Sequence, residues 1–172
     1  MTRFLPPLVL ATLMILSAVP RGEAASTEGP ASTLAAVCAR YYGALQKERY
    51  DEALGLLHER LRQALQVRTA KDLAARSILA QRDLVEAFRR FDQIDVSKTE
   101  VDLTSIKATV SASDSVNVLG EVAYDLVVFP VGPGRPLMYR VVMDVGLSQG
   151  QIIRLTQESI TRIDPGAIRD VL

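Results

Sequence analysis

Two carboxylates with an arginine between them come nearest to acid–base chemistry in this 172-residue chain. Asp125, Arg140 and Glu158 fall in three successive strand-like runs, so pairing of those runs would set the three side chains in a row across a sheet. Paired acids serve catalysis when burial holds a proton on one of them near neutral pH. These residues instead occupy the polar phase of their runs, the phase that meets water, and an arginine between two acids keeps both ionised. The row is expected to be a structural charge ladder, joined by a second opposite-charge pair, Asp144 and Arg154. No catalytic residue is assigned.

The apolar phase of the same runs is nearly all aliphatic, with Tyr124, Tyr139, Gln157 and Ser159 as its polar members. Tyr124, Tyr139, Met143 and Gln157 are the residues expected to touch a small apolar or amphipathic ligand, since such sites combine apolar lining with a few polar groups. No Asp or Glu falls in this phase. Asp51, Asp92 or Asp95 would act inside only if a loop carried one inward. The single histidine, His58, has no His or Cys nearby in sequence to complete a metal site, and is read as the C-terminal residue of a helix, near its carbonyl ends. Cys38 has no partner for an internal disulfide and sits in an apolar helical stripe, which predicts a buried thiol. No cofactor motif is present.

Several elements must position these groups. Leu34, Val37, Cys38, Tyr41, Tyr42 and Leu45 recur at helical spacing from about Ser32, and Asp51 is placed to cap a second helix carrying Ala53, Leu54, Leu57 and Leu61. Thr69 and Asp72 have the spacing of a capping box and open a third helix, with Leu73, Ile78, Leu84, Val85, Phe88 and Phe91 on its apolar side. After Asp92 the period changes to that of strands: one long bent strand or two short ones, a turn at Ser111–Ser115, then three alternating runs from Val116 to Ser159. Their links are the Gly/Pro loop Pro130–Pro136 and a turn at Ser148-Gln149-Gly150. A three-residue turn there would pair Val145 with Ile153, Asp144 with Arg154 and Arg140 with Glu158.

The chain carries 20 basic and 20 acidic residues. Its first residues read as an export leader: Arg3, an apolar run from Phe4 to Pro20, and small residues at Gly22 and Ala24. Removing residues 1–24 leaves 18 basic and 19 acidic residues, a balance without the basic face that nucleic acid requires. The apolar run is interrupted by prolines and falls short of the roughly 20 residues of a spanning helix, so no stable membrane span is expected after cleavage. Residues 25–31 are read as a flexible linker, 32–160 as one domain and 161–172 as a tail with a turn at Asp164-Pro165-Gly166. The fold class expected is α+β, with N-terminal helices packed in the concave face of a curved antiparallel sheet.

Tyr41-Tyr42-x-x-Leu45, Tyr50-Asp51-Glu52-Ala53-Leu54-x-Leu56-Leu57, the Gly120-to-Phe129 strand and Gly150-Gln151-Ile152-Ile153 together resemble the nuclear transport factor 2-like superfamily. The second segment also resembles one tetratricopeptide unit, but no further copy follows to stack on it. The superfamily resemblance implies an α+β cone whose sheet wraps the helices, often dimeric through its outer face and often with a pocket at the open end. Its enzymes, isomerases and dehydratases among them, place an Asp or His inside the cone with tyrosines beside it. With no acid in the inner phase of the last three strands, the function expected here is an exported, non-catalytic domain with a pocket for a small apolar or amphipathic ligand. The alternative is a cell-envelope interaction or scaffold module. It would meet a second copy or an envelope protein through Val127, Phe129, Met138 and Val142 on the outer face.

Overall fold

Helices form first along the chain and a meander of strands follows. In the computed structural model, which describes residues 29–163, the elements are α1 (Pro30–Gln46), α2 (Tyr50–Gly55), α3 (Glu59–Leu65), α4 (Ala70–Ala87), a π-helical turn (Phe88–Asp92), β1 (Val96–Ser113), β2 (Asn117–Pro130), β3 (Leu137–Ser148) and β4 (Gln151–Ile163). The four strands make one curved antiparallel sheet in sequence order, with the helices packed against it. The fold is α+β. Residues 1–24, most of the segment 25–31 and the turn at Asp164-Pro165-Gly166 lie outside the described residues, and Thr161–Ile163 belong to β4 rather than to a tail.

α1 presents Leu34, Val37, Cys38 and Tyr41 to the core, and the thiol is fully buried. The second helix expected from the sequence is two helices. The chain leaves α2 after Gly55, and Leu57 forms a parallel bridge with Ile152: Ile152 N donates to Leu56 O at 2.8 Å and His58 N to Ile152 O at 2.9 Å. Those bonds take backbone groups that a continuous helix would use internally, and they bury both Leu57 and Ile152 completely. His58 therefore opens a helix instead of closing one. Its Nδ1 accepts from Arg60 N at 3.2 Å and caps α3. Asp51 lies in the first turn of α2 and caps nothing.

The capping box of α4 forms as its spacing predicts: Thr69 Oγ1 accepts from Asp72 N at 3.2 Å and Asp72 Oδ2 accepts from Thr69 N at 2.9 Å. Leu73 and Phe88, at the two ends of this segment, are buried, but Ile78 is 64% exposed and Leu79 is also exposed. Helical spacing puts Ile78 in the apolar set, but no other described element covers the middle of α4.

The inner phase of β2 and β3 is as the alternation predicts, with Val122, Tyr124, Leu126 and Val128 facing inward beside Tyr139, Val141, Met143 and Val145. β1 is one long strand with a break in register between Asp102 and Lys107, where the Ser105 hydroxyl donates to Asp102 O and accepts from Asp125 N, both at 2.7 Å.

The register of β4 differs from the one the turn length predicts. The hairpin closes on two residues, Gln149 and Gly150, with φ of 50° and 75°, so Ser148 faces Gln151 and Leu147 faces Ile152. Two positive φ angles give the turn a twist matching that of the strands it joins. An unbroken ladder from that turn would point Leu155 outward. A bulge at Ile153 changes the phase and brings Leu155 opposite Val145 in the core; a second at Glu158 does the same for Ile160 opposite Val141. Val145 thus pairs with Leu155 instead of Ile153, Asp144 faces Thr156, Arg140 faces Thr161, and Ser159 moves to the outer face beside Val142. Gln149→Asn, which suits the left-handed region better, is expected to raise stability by about 0.5 kcal/mol in urea unfolding.

Candidate functional site

The inner face of the sheet carries three neighbouring rows at the end where β3 begins and β4 ends: Leu126–Tyr139–Arg162, Tyr124–Val141–Ile160 and Val122–Met143–Gln157. The four expected pocket residues all lie on this face. Met143 and Gln157 are direct cross-strand neighbours, and Tyr124 sits diagonally between Met143 and Tyr139. Tyr124, Tyr139 and Met143 are buried in the continuous core, and Gln157 is half-buried. They form a strip rather than a single cluster, since Tyr139 and Met143 are separated by about 13 Å of strand.

Tyr124 closes on α1. Its ring lies 4.8 Å from that of Tyr42, which in turn stacks edge-on to Tyr41 at 5.4 Å. Burial pushes Tyr41 and Tyr124 up to about 12 and Tyr42 well above its ordinary value, and the Tyr42 and Tyr124 hydroxyls are close enough to perturb one another. This group is aromatic packing between α1 and β2.

Tyr139 is different. Its ring packs against Phe88 at 4.8 Å, the residue is only 3% exposed, and among the described residues no group meets its hydroxyl in full hydrogen-bond geometry. Burial pushes it up to about 12, with the Asp92 carboxylate raising it further and Arg162 opposing. Asp92 thus acts on Tyr139 both through its charge and as a hydrogen-bond acceptor at the margin of bonding geometry. Phe88 and Asp92 begin and end the π-helical turn, which brings both to this corner of the sheet, and such turns recur at functional sites. An acid does reach the inner face, carried by a helical turn rather than a loop. Asp51 and Asp95 do not: both are exposed, and Asp95 pairs with Arg89 at 2.8 Å. The sequence reading missed Phe88 and Arg162 as site residues. Phe88 is legible only as a core aromatic, and placing Arg162 beside Tyr139 requires both β4 bulges.

On the outer face Asp125 sits opposite Arg140, as the ladder requires, with Arg140 Nε to Asp125 Oδ1 at 2.5 Å and Nη2 to Oδ2 at 3.3 Å. Hydrogen bonding to Asp125 raises the Arg140 pKa. Asp125 is 8% exposed, its backbone tied to Ser105. Arg154 still reaches Asp144, diagonally. Glu158 stands apart, bulged out of the ladder, and forms no ion pair among the described residues; the three-residue row therefore ends at Arg140. Asp125 is buried but the Arg140 side chain is about half exposed, so water offsets part of the loss, and Arg140→Ala is expected to cost about 1 kcal/mol in urea unfolding, partly recovered by adding Asp125→Val.

Thr109, Ser111, Glu121, Asp144 and Glu158 line a shallow outer groove of about 370 Å³. The expected interaction residues are half-buried on the same outer face: Val127 pairs with Met138, which pairs with Ile163, while Phe129 lies beneath Lys98 and Val142 faces Ala123. Among the described residues no group of three metal-ligating side chains is close enough to hold an ion, and no helix is long and apolar enough to cross a membrane.

Compared with known proteins, the chain matches no family model, no curated protein and no solved structure.

Proposed function

We propose that this chain is an exported, non-catalytic binding domain that holds a small apolar or amphipathic ligand against the inner face of its sheet, at Tyr139. The observation that carries this reading is the Tyr139 hydroxyl, buried and without a well-formed hydrogen bond among the described residues. Leaving such a group unpaired costs about 1–3 kcal/mol, a cost a fold retains where the group has another use. Its surroundings suit a ligand: Phe88 supplies an aromatic wall, while Asp92 and Arg162 bring opposite charges to the same corner. Export rests on the basic and apolar pattern of the first residues, and the cone reading on the resemblance to the nuclear transport factor 2-like superfamily.

The test is a thermal-shift screen of the purified chain against lipids and apolar metabolites, run beside Tyr139→Phe. The wild type should be stabilised by ligand. The variant should be more stable when empty, by up to about 1 kcal/mol, because it loses only an unpaired hydroxyl, and should lose the ligand shift. A variant less stable than wild type, or a wild type that no ligand shifts, would overturn the reading.

A second reading follows from the outer face, where Val127, Met138 and Ile163 form an apolar row left uncovered by the helices. It is an interaction surface for a second copy or a partner of the cell envelope. Light scattering tests the first occupant: a dimer that Met138→Lys dissociates supports it, and a monomer at high concentration counts against it.

A further inference from the structure

Away from the sheet, we propose that two copies of this chain associate through the outward side of α4, the helices lying antiparallel about a two-fold axis between Ile78 and Leu79. Leu73 is the one buried residue of this 18-residue helix, yet a helix in water draws most of its stability from a packed face. Ala75, Ile78, Leu79 and Arg82 stand three or four residues apart, so they share one side, and all four are exposed. Lys71, one turn before, and Glu86, one turn after, extend this stripe; both are exposed and, among the described residues, neither forms an ion pair. The stripe is basic at its start, apolar around Ile78 and acidic at its end, so it complements itself when turned end for end. The antiparallel seat puts Ile78 on Leu79 of the second copy, Ala75 beside the stem of Arg82 and Lys71 against Glu86, each contact made twice by symmetry. A parallel seat would set Lys71 on Lys71 and Glu86 on Glu86, and like charges repel. Arg82 keeps Asp83 at 3.6 Å, so its charge is not stranded. A polyanion or an anionic lipid surface would meet Asp83 and Glu86 as like charges, whereas a second copy meets each end of the stripe with its opposite. A helix of this length is about 27 Å long and about 10 Å wide, so each copy covers roughly 300 Å², well under the roughly 800 Å² per partner of a stable interface. The dimer is therefore weak and reversible.

Sedimentation velocity of the purified chain between about 10 μM and about 1 mM should show a monomer–dimer equilibrium. Ile78→Asp should abolish the dimer and Glu86→Lys should weaken it about tenfold, both with the wild-type circular dichroism because the two positions are exposed. Adding Lys71→Glu to Glu86→Lys rebuilds both pairs with their charges exchanged and should return the dissociation constant to within about threefold of wild type. A chain still monomeric at about 1 mM overturns the pairing and leaves the α4 stripe to the chain's own end or to another protein. If Met138→Lys dissociates the dimer and Ile78→Asp does not, the association belongs to the outer face of the sheet; if the double variant stays as weak as Glu86→Lys, the helices do not lie antiparallel. Either result also overturns it.

Discussion

Gly120→Ala is expected to remove a large share of the stability of this chain. Gly120 is buried in β2 between Val110 of β1 and Val145 of β3. A Cβ built there lies 2.1 Å from the carbonyl oxygen of Thr109 and 3.0 Å from both the Val110 Cα and the Leu34 Cδ2. Two of these neighbours are backbone, which cannot rotate away as a side chain can. The strands would have to separate next to the existing irregularity between Val110 and Ala112. Overpacking of this kind costs about 3 kcal/mol or more, a large share of the roughly 5–15 kcal/mol that a domain has in all. Two glycines serve as controls. A Cβ at Gly134 meets only Pro130, at 3.5 Å, and Gly55 in α2 has nothing within 4 Å, so Gly134→Ala should be nearly neutral. Gly55→Ala should gain up to about 1 kcal/mol of helix propensity. Urea midpoints for the three variants decide the matter; a Gly120→Ala midpoint equal to wild type would show that β1 yields without cost.

The second large effect is expected in alkali. Burial pushes Tyr41, Tyr124 and Tyr139 up to about 12, and Cys38, also by burial, to about 12. These groups are neutral when protonated, so the folded chain holds its protons more tightly than the unfolded chain. Their contribution is complete below the unfolded values, about 8.5 for Cys and 10 for Tyr, and is lost as pH rises toward 12. A two-unit shift is worth about 2.7 kcal/mol for one group. The tyrosines of α1 and β2 interact, so the contributions do not simply add, but together they amount to several kcal/mol, enough to remove most of the stability of a domain. Tyrosinate absorbance should appear in the same cooperative transition as the loss of far-ultraviolet circular dichroism, between about pH 10 and 12. Tyrosines ionising near 10 in a chain that keeps its dichroism would refute the burial argument. The acid side should be milder. Asp72, held down by the Arg68 and Thr69 backbone amides, Asp102, by Thr104, and Asp114, by the amides of Val116 and Asn117, all have lowered pKa values. Their contribution is present above the unfolded value of about 3.9 and fades as pH falls through the lower folded values, but all three are exposed to solvent, which screens it.

What the sequence determined by itself is what depends on near neighbours in the chain. The order of helices then meander, the inner phase of β2 and β3, the buried thiol of Cys38 and the Thr69–Asp72 box all follow from spacings of two to four residues, because the backbone alone sets which side chains share a face. Asp125 beside Arg140 was legible too, since a two-phase strand pattern leaves few registers that keep both apolar faces inside.

Tertiary structure decided the rest. The second helix breaks at Leu57 because Ile152, almost a hundred residues on, binds the backbone there. Ile78 is exposed because no other described element covers the middle of α4, a fact its helical spacing does not contain. The β4 register follows a two-residue turn and then corrects itself with bulges at Ile153 and Glu158. The free energy of keeping Leu155 and Ile160 inside exceeds the few tenths of a kcal/mol that an Arg140–Glu158 pair would add. The corner of the candidate site exists only through these choices. Tyr139 was visible as an inner-face tyrosine, but its approach to Asp92 and Arg162 depends on a π-helical turn and two bulges, set by packing between segments far apart in the chain.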